Sequence, residues 1–144
     1  MNTLSLPFRR KISLVDKFNF YEYLSIMLDG GVTISETLDS VQSKIQNKFF
    51  KEKIQELQTY VSSGDSFSKS MKKIPQIFSS GEISIIESGE TTGKLSKSLS
   101  NLSENLRKSH DLRSKIKGAL TYPAIIFLFL LLAVIIVLTY VIPS

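Results

Sequence analysis

The chain has 144 residues, no cysteine and a net charge of +5. That length suits one domain with an appendage and is too short for two independent cores. The lack of cysteine excludes thiol catalysis and thiolate metal sites. The basic residues are spread among 13 acidic ones without an arginine-rich aromatic platform. We therefore interpret them as a solvated surface and expect no nucleic-acid partner.

The charged residues are confined to the first part of the chain. All of them lie before Gly118, and an apolar run that is unbroken over 124–138 continues to Ile142 with two tolerated polar residues. A helix from the start of that run to its end is roughly 28 Å long, close to the ~30 Å hydrocarbon core of a bilayer. A protein of this size could not surround such a helix on every side. We therefore predict a transmembrane helix over 121–142.

Basic residues are concentrated on one side of the predicted membrane helix. Lysine and arginine at one end of such a helix mark the cytoplasmic side, and no charge follows the helix to compete. We therefore predict that the domain preceding this helix lies in the cytoplasm. We also expect the basic group to attract anionic lipid headgroups. The group consists of Arg107, Lys108, Arg113, Lys115 and Lys117.

Six amphipathic stripes, separated by turn residues, precede the membrane helix, and no sustained alternation indicates a strand. Two of the stripes open with a capping box, in which serine or threonine is followed three residues later by glutamate. We predict an all-α, six-helix antiparallel bundle over 18–120, preceded by a basic arm over 1–17. The stripes cover residues 18–28, 34–45, 50–61, 67–71, 83–86 and 95–106, and the boxes pair Thr33 with Glu36 and Ser79 with Glu82.

The apolar face of the sixth stripe does not continue to the membrane. Past Leu106 that face becomes polar, and apolar positions reappear on a rotated face at Leu112, Ile116 and Leu120. We predict that the sixth helix leaves the bundle near residue 107 and continues as a stalk into the transmembrane helix.

Groups suited to catalysis or metal binding are mostly missing. His110 is the single histidine, and the GETTGK sequence at 89–94 lacks the preceding strand and the spacing of a phosphate loop. Glu87 and Glu90 lie three residues apart, but two carboxylates are too few for a hard cation, which takes about six oxygens. A calcium ion shared with a second protomer stays an alternative to a solvated helix end. We expect no metal, no cofactor and no enzymatic activity.

Four segments in order resemble the F-domain family, the inner-membrane platform proteins of type II secretion systems and type IV pili. Members carry two six-helix cytoplasmic domains and three transmembrane helices, so this chain is similar to the first half of such a protein or to a truncated or split member. The segments are LSIMLDGGVTI at 24–34, GDSFS at 64–68, GETTGKL at 89–95 and ALTYPA at 119–124.

The resemblance implies a scaffold that couples a cytoplasmic assembly ATPase to pilin or pseudopilin subunits, beside other inner-membrane assembly proteins. We also expect contact with membrane lipid and a homo-oligomer. An alternative is a tail-anchored helical interaction or regulatory domain that recruits another soluble partner. A membrane-anchored hydrolase is disfavoured by the missing chemistry.

Two glycine-containing turns are the candidate partner contacts, although their glycines could instead only supply positive φ at helix ends. Tyrosine suits the membrane interface and proline suits the first turn of a helix, so Tyr122 and Pro123 are expected where the chain enters the membrane. The candidate contacts are Gly30, Gly31, Glu90 and Gly93.

Overall fold

The computed structural model describes residues 12–142, and within this range helices are the only regular secondary structure. The predicted all-α class with six helices is confirmed. The helices are α1 Leu14–Asp29, α2 Ile34–Gln42, α3 Lys48–Ser62, α4 Phe67–Lys72, α5 Ser80–Thr91 and α6 Leu95–Tyr140.

Helix α1 begins earlier than the sequence predicted. The hydroxyl of Ser13 accepts from the N–H of Asp16 at 3.0 Å, and the Asp16 carboxylate accepts from the N–H of Ser13 at 3.3 Å. Aspartate thus completes a capping box in which glutamate or glutamine is the usual third residue. Helix α1 starts at Leu14, within the range of the predicted arm over 1–17, so the last residues of that range are helical. Residues 1–11 lie outside the described part of the chain.

Both predicted capping boxes form. At the start of α2 the Thr33 hydroxyl accepts from the N–H of Glu36 at 3.3 Å. At the start of α5 the Ser79 hydroxyl accepts from the N–H of Glu82, also at 3.3 Å. Each box satisfies backbone N–H groups that have no partner inside their helix. Local sequence therefore fixes where α2 and α5 begin.

The core lies among α1–α5 and the first turns of α6. The rings of Phe20 and Phe50 meet edge-on, with centroids 5.4 Å apart and planes at 72°. Burial of a large apolar side chain contributes about 1.5–3 kcal/mol, so this core supplies most of the stabilisation. Other fully buried side chains are Tyr21, Leu24, Leu38, Ile54, Leu57, Phe67, Met71, Ile86 and Leu99.

The chain divides into two compact units, the first ending at Arg107 and the second beginning at Lys108. This boundary agrees with the residue near which the sixth helix was predicted to leave the bundle. It falls short of the predicted domain end at residue 120. The reason is the rotated stripe, because Leu99 and Leu102 are buried in α6 whereas Leu112 is 60% exposed.

The second unit consists of the remainder of α6, and α6 is the one helix in the described range that is long and apolar enough to cross a membrane. The sequence context suggested that Pro123 occupies the first turn of a separate helix. In the structure Pro123 lies inside α6. Proline cannot donate to the carbonyl of Ala119, a loss that membrane helices tolerate. The bilayer boundary at Tyr122 and Pro123 stays a prediction.

Candidate partner-binding end of the helical unit

Three turns between helices share one backbone geometry. Each contains a glycine with positive φ: Gly31 at 83°, Gly64 at 102° and Gly93 at 67°. In the first turn the N–H of Val32 donates to the carbonyl of Met27 at 3.1 Å, and the equivalent bonds in the other two are 3.3 and 2.8 Å. This is the Schellman motif, which favours glycine because a side chain would be strained there. Gly31 and Gly93 thus have positive φ at helix ends, and their role as partner contacts stays a prediction.

Gly30 differs from those glycines. Its φ is −74°, so the positive-φ explanation does not apply to it. A Cβ added there would lie 3.3 Å from the carbonyl oxygen of Met27, which is tighter than ordinary van der Waals contact. Glycine at this position therefore relieves crowding against the last turn of α1.

The α1–α2 turn lies beside the α5–α6 turn. The hydroxyl of Ser25 donates to the carbonyl of Ser96 at 3.0 Å, and the hydroxyl of Ser96 donates to the carboxylate of Asp29 at 2.5 Å. These bonds join the last turn of α1 to the first turn of α6. Two turns that are far apart in sequence are thus neighbours in the fold.

The α3–α4 turn lies at the same end of the unit. The hydroxyls of Ser35, in the first turn of α2, and Ser62, the last residue of α3, are 3.4 Å apart. The end of α3 therefore lies next to the start of α2. We call this end of the first unit, with the turns at Gly31, Gly64 and Gly93, the glycine end.

Glu90 binds the start of α4. Its carboxylate accepts from the N–H groups of Phe67 at 2.6 Å and Ser68 at 3.0 Å. The Ser66 hydroxyl accepts from the N–H of Lys69 at 3.3 Å. The first three N–H groups of α4 are thereby satisfied, and a carboxylate at a helix N-terminus also complements the helix dipole. Glu90 therefore joins α5 to α4 in addition to lying at a candidate partner turn.

Glu87 and Glu90 bind different partners. The Glu87 carboxylate accepts from the ammonium of Lys72 at 2.7 Å on the exposed surface, whereas Glu90 is half-buried. Among residues 12–142 there is no group of three or more side chains that could hold a metal ion. Glu87 and Glu90 therefore belong to no such group within this range, and a calcium ion shared with a second protomer stays a prediction.

The cap of α4 predicts different stabilities for two glutamine variants. Glu90→Gln should lower the free energy of unfolding by about 2 kcal/mol, because hydrogen bonds to a charged group contribute roughly 1.5–3 kcal/mol. Glu87→Gln removes only an exposed ion pair and should change it by less than about 0.5 kcal/mol. Urea unfolding of the full chain in mild detergent, followed by near-UV circular dichroism of the tyrosines, measures both. Equal losses in the two variants would contradict this role of Glu90.

Glu82 is the centre of a buried polar network that ties α1 to α5. Its carboxylate accepts from the ammonium of Lys17 at 2.7 Å and from the hydroxyl of Tyr21 at 3.1 Å. The N–H and hydroxyl of Ser79 donate to it at 2.8 and 2.7 Å. Glu82 itself is only 6% exposed. This role was not predicted from the sequence, although the four-residue spacing of Lys17 and Tyr21 on one helix face was a signal for it.

The network changes two proton affinities. Burial alone would raise the pKa of Glu82, but hydrogen bonds from Lys17 and from the backbone of Ser79, with the Lys17 charge, outweigh it and hold this pKa below the ordinary value of 4.5. Burial, the Glu82 charge and the hydrogen bond to Glu82 raise the pKa of Tyr21 well above its ordinary value. Glu82 is therefore ionised and Tyr21 neutral at physiological pH.

The lowered pKa of Glu82 predicts a loss of stability in acid. A carboxyl whose pKa is lower in the folded state stabilises the fold above its unfolded pKa, and this contribution disappears as the pH falls through the folded pKa. Between about pH 5 and pH 3 the free energy of unfolding should therefore fall more steeply in the wild type than in Glu82→Gln. Urea titrations across this range measure the slopes. Identical slopes would contradict the ionised network.

A groove opens beside the glycine end, between α1 and the first part of α6. It has a volume of about 400 Å³, and its lining includes Ile26, Asp29 and Glu104. Ile26 is 64% exposed, whereas Val15 and Ile85 are 36% and 38% exposed. Ile26 is the one apolar side chain among the described residues that line this groove. The glycine end and this groove together form the candidate partner-binding surface of the first unit.

Residues 12–142 form six helices, and the last of them is long and apolar enough to cross a bilayer, so the fold is that of a helical protein with a candidate membrane span. Comparison with known families specifies the class further. The family described as type II secretion system (T2SS), protein F, matches residues 20–143. The chain belongs to this family.

Curated relatives carry names from two assembly systems. The chain is 34% identical over 131 residues to the type IV pilus assembly protein PilC of Thermus thermophilus, covering 91% of the chain and 32% of that relative. It is 28% identical over 135 residues to the Pseudomonas aeruginosa PilC, covering 94% of the chain and 36% of the relative. It is 26% identical over 137 residues to the type II secretion system protein F of Aeromonas hydrophila, covering 95% and 35%. The chain thus spans about a third of the length of these relatives.

Proposed function

We propose that the chain acts as a non-enzymatic inner-membrane platform protein in the assembly of a type IV pilus or a type II secretion system. It couples a cytoplasmic assembly ATPase to pilin or pseudopilin subunits, in contact with other inner-membrane assembly proteins and with further copies of itself. The family match over residues 20–143 carries this proposal, because it includes both the helical unit and the candidate membrane span. The relatives' names supply the two assembly systems.

The first unit lies in the cytoplasm in this proposal. Exposed Arg113, Lys115 and Lys117 precede the apolar part of α6, and no charge follows it up to Ser144. Basic residues beside a membrane helix are retained on the cytoplasmic side. The soluble ATPase would then meet the first unit, and pilin subunits would meet the membrane span.

The glycine end is the part of the first unit that we propose contacts the ATPase, through the turns that contain Gly30, Gly31, Glu90 and Gly93. Three observations support it. The three turns gather on one surface, their glycines are exposed, and the neighbouring groove presents the exposed Ile26. Rigid turns held by Schellman bonds can transmit a displacement into α6, which begins at this end.

Deletion of the gene tests the function as a whole. In a strain that lacks the gene, surface filaments or secreted substrates of the corresponding system should be absent, and expression of the gene from a plasmid should restore them. Electron microscopy of surface filaments and immunoblots of culture medium measure the outcome. Normal filaments and normal secretion in the deletion strain would reject the platform role.

A charge reversal tests the glycine end as the contact surface. Lys94→Glu changes the exposed residue that precedes α6, and Lys48→Glu makes the same change at the first residue of α3, away from that end. Both positions adjoin helix N-termini, so the helix dipole favours glutamate in each. The affinity of the full-length variants for the assembly ATPase is measured in lipid nanodiscs. Lys94→Glu should lower this affinity about tenfold, and Lys48→Glu should leave it unchanged. Wild-type affinity in both variants would reject this surface but leave the platform role intact.

A further inference from the structure

The part of α6 between the first unit and the apolar span has an amphipathic pattern that the platform role does not explain. Leu112, Ile116 and Leu120 are spaced by four residues, so they form one stripe on the helix. Their exposed fractions are 60%, 51% and 65%. Apolar side chains repeated at this spacing on a charged helix normally face another apolar surface. The second unit offers no such surface to this stripe, since α6 is its only helix in the described range.

Basic residues border the stripe on both sides. At about 100° per residue, Lys108 and Lys115 fall along one edge of the stripe, and Arg113 and Lys117 fall along the other. All four are exposed. The acidic residue of this segment, Asp111, lies on the face opposite the stripe, where its carboxylate is 3.5 Å from His110. The stripe and its edges therefore form a surface that is apolar in the middle and positive on both flanks.

This charge pattern indicates whether the apolar stripe contacts a second copy of the segment or a lipid surface. Two copies of the segment packed through the stripe, parallel or antiparallel, would place basic edges against basic edges, which is destabilising. A basic amphipathic face matches an anionic lipid surface, where apolar side chains enter the boundary of the acyl chains and lysine and arginine bind phosphates. The segment also continues without a break into the candidate membrane span. The basic edges and the continuity with the span therefore favour lipid over a second copy.

The length of the uncharged segment brings the stripe close to the lipid surface. From Gly118 to the end of α6 at Tyr140 the helix carries no charge, and a helix of that length spans roughly 34 Å, which exceeds the ~30 Å hydrocarbon core. A span longer than the core is accommodated by tilting. A tilted helix that leaves the bilayer turns one face of its next few turns toward the headgroups. The apolar stripe is the face best suited to that position.

We propose that residues 108–120 are an anionic-lipid-binding segment, in which the stripe of Leu112, Ile116 and Leu120 enters the headgroup layer between two rows of phosphate-binding basic side chains. The inference rests on the proposed membrane insertion of α6. It does not depend on the proposed ATPase or pilin partners. It gives the platform a lipid preference at the point where its helical unit meets the membrane.

The chain has no tryptophan, so the fluorescence of a single introduced tryptophan reports how close that position lies to the lipid headgroups. Ile116→Trp places the reporter in the stripe, and Ser114→Trp places the matched control on the opposite face, two residues away. The full chain is reconstituted in nanodiscs of equal parts phosphatidylcholine and phosphatidylglycerol that contain a headgroup-nitroxide lipid. The tryptophan of Ile116→Trp should be quenched about twofold more strongly than the tryptophan of Ser114→Trp. Equal quenching at the two positions would overturn the proposal.

Two further variants separate the lipid preference from insertion itself. Replacement of Lys108, Arg113, Lys115 and Lys117 by glutamine in the Ile116→Trp background should abolish the excess quenching, and pure phosphatidylcholine discs should reduce it. Excess quenching that is unchanged by both treatments would overturn the anionic-lipid assignment. Phe129→Trp, quenched by lipids brominated deep in the acyl chain, reports the span. Loss of that signal would reject insertion and with it the platform topology, whereas a normal signal with equal quenching at 114 and 116 would reject only the lipid-binding segment.

Discussion

Gly89→Ala should destabilise the first unit strongly, by about 2 kcal/mol, because α5 and α6 cross closely at this residue. A Cβ added to Gly89 would lie 2.7 Å from the Cβ of Ser98 and 3.3 Å from the Cα of Leu95. Rotation of the Ser98 hydroxyl relieves neither contact, since both atoms are fixed by the backbone of α6. The two helices would have to separate, and this loss exceeds the ~1 kcal/mol that alanine gains over glycine in a helix.

The same helix contains the matched control. A Cβ added to Gly81 would meet nothing within 4 Å, so Gly81→Ala should raise the free energy of unfolding by roughly 0.5–1 kcal/mol through helix propensity alone. Thermal unfolding of the full chain in detergent should show a midpoint about 8 °C lower for Gly89→Ala and a few degrees higher for Gly81→Ala. Ser98→Gly should recover part of the Gly89→Ala loss. Similar midpoints for both alanine variants would contradict the close crossing.

Glu82→Ala is the second change with a large expected effect, a loss of about 3 kcal/mol, because it leaves the buried end of Lys17 without its counter-charge. The hydroxyl of Tyr21 also loses its acceptor. The side chains of Lys17 and Glu82 are only 14% and 7% exposed, so water replaces the lost partner poorly. The lost stability should appear as a lower midpoint concentration of urea. The slope of the unfolding free energy against urea concentration should not change.

Glu36→Ala is the control for that prediction. Glu36 is also the glutamate of a capping box, but it is exposed and the hydrogen bonds described for its side chain are those with Thr33. Its removal should therefore reproduce only the capping part of the Glu82→Ala loss and lower the stability much less. Equal effects of the two alanine variants would show that the bonds of Glu82 with Lys17 and Tyr21 contribute nothing to the free energy of unfolding.

Local signals were sufficient to place most helix ends. The pairing of Ser79 with Glu82 and the glycine at position 93 act within a few residues of chain, so their hydrogen bonds form in the predicted places. The start of α1 was missed because aspartate at position 16 closes its box in place of glutamate. The end of the bundle near residue 107 was predictable because an apolar stripe that rotates away from the core cannot stay buried.

The candidate site was only partly predictable. The turns at Gly31 and Gly93 could be chosen from sequence, but their proximity depends on contacts such as that of Ser25 with Ser96, which join residues far apart in the chain. Glu90 looked like a free carboxylate at a helix end. Its partners, the N–H groups at the start of α4, are brought to it by the packing of α4 against α5.

The sequence by itself determined the six helices, most of their caps and the apolar span. The helices and caps depend on residues within a turn or two, and the span depends on a long unbroken run of apolar residues. Only the tertiary structure decided that Gly89 must lack a side chain, that Glu82 is buried beside Lys17, and that three turns form one end. Those features depend on the distance between helices, which arises when the whole core packs and which no local pattern encodes.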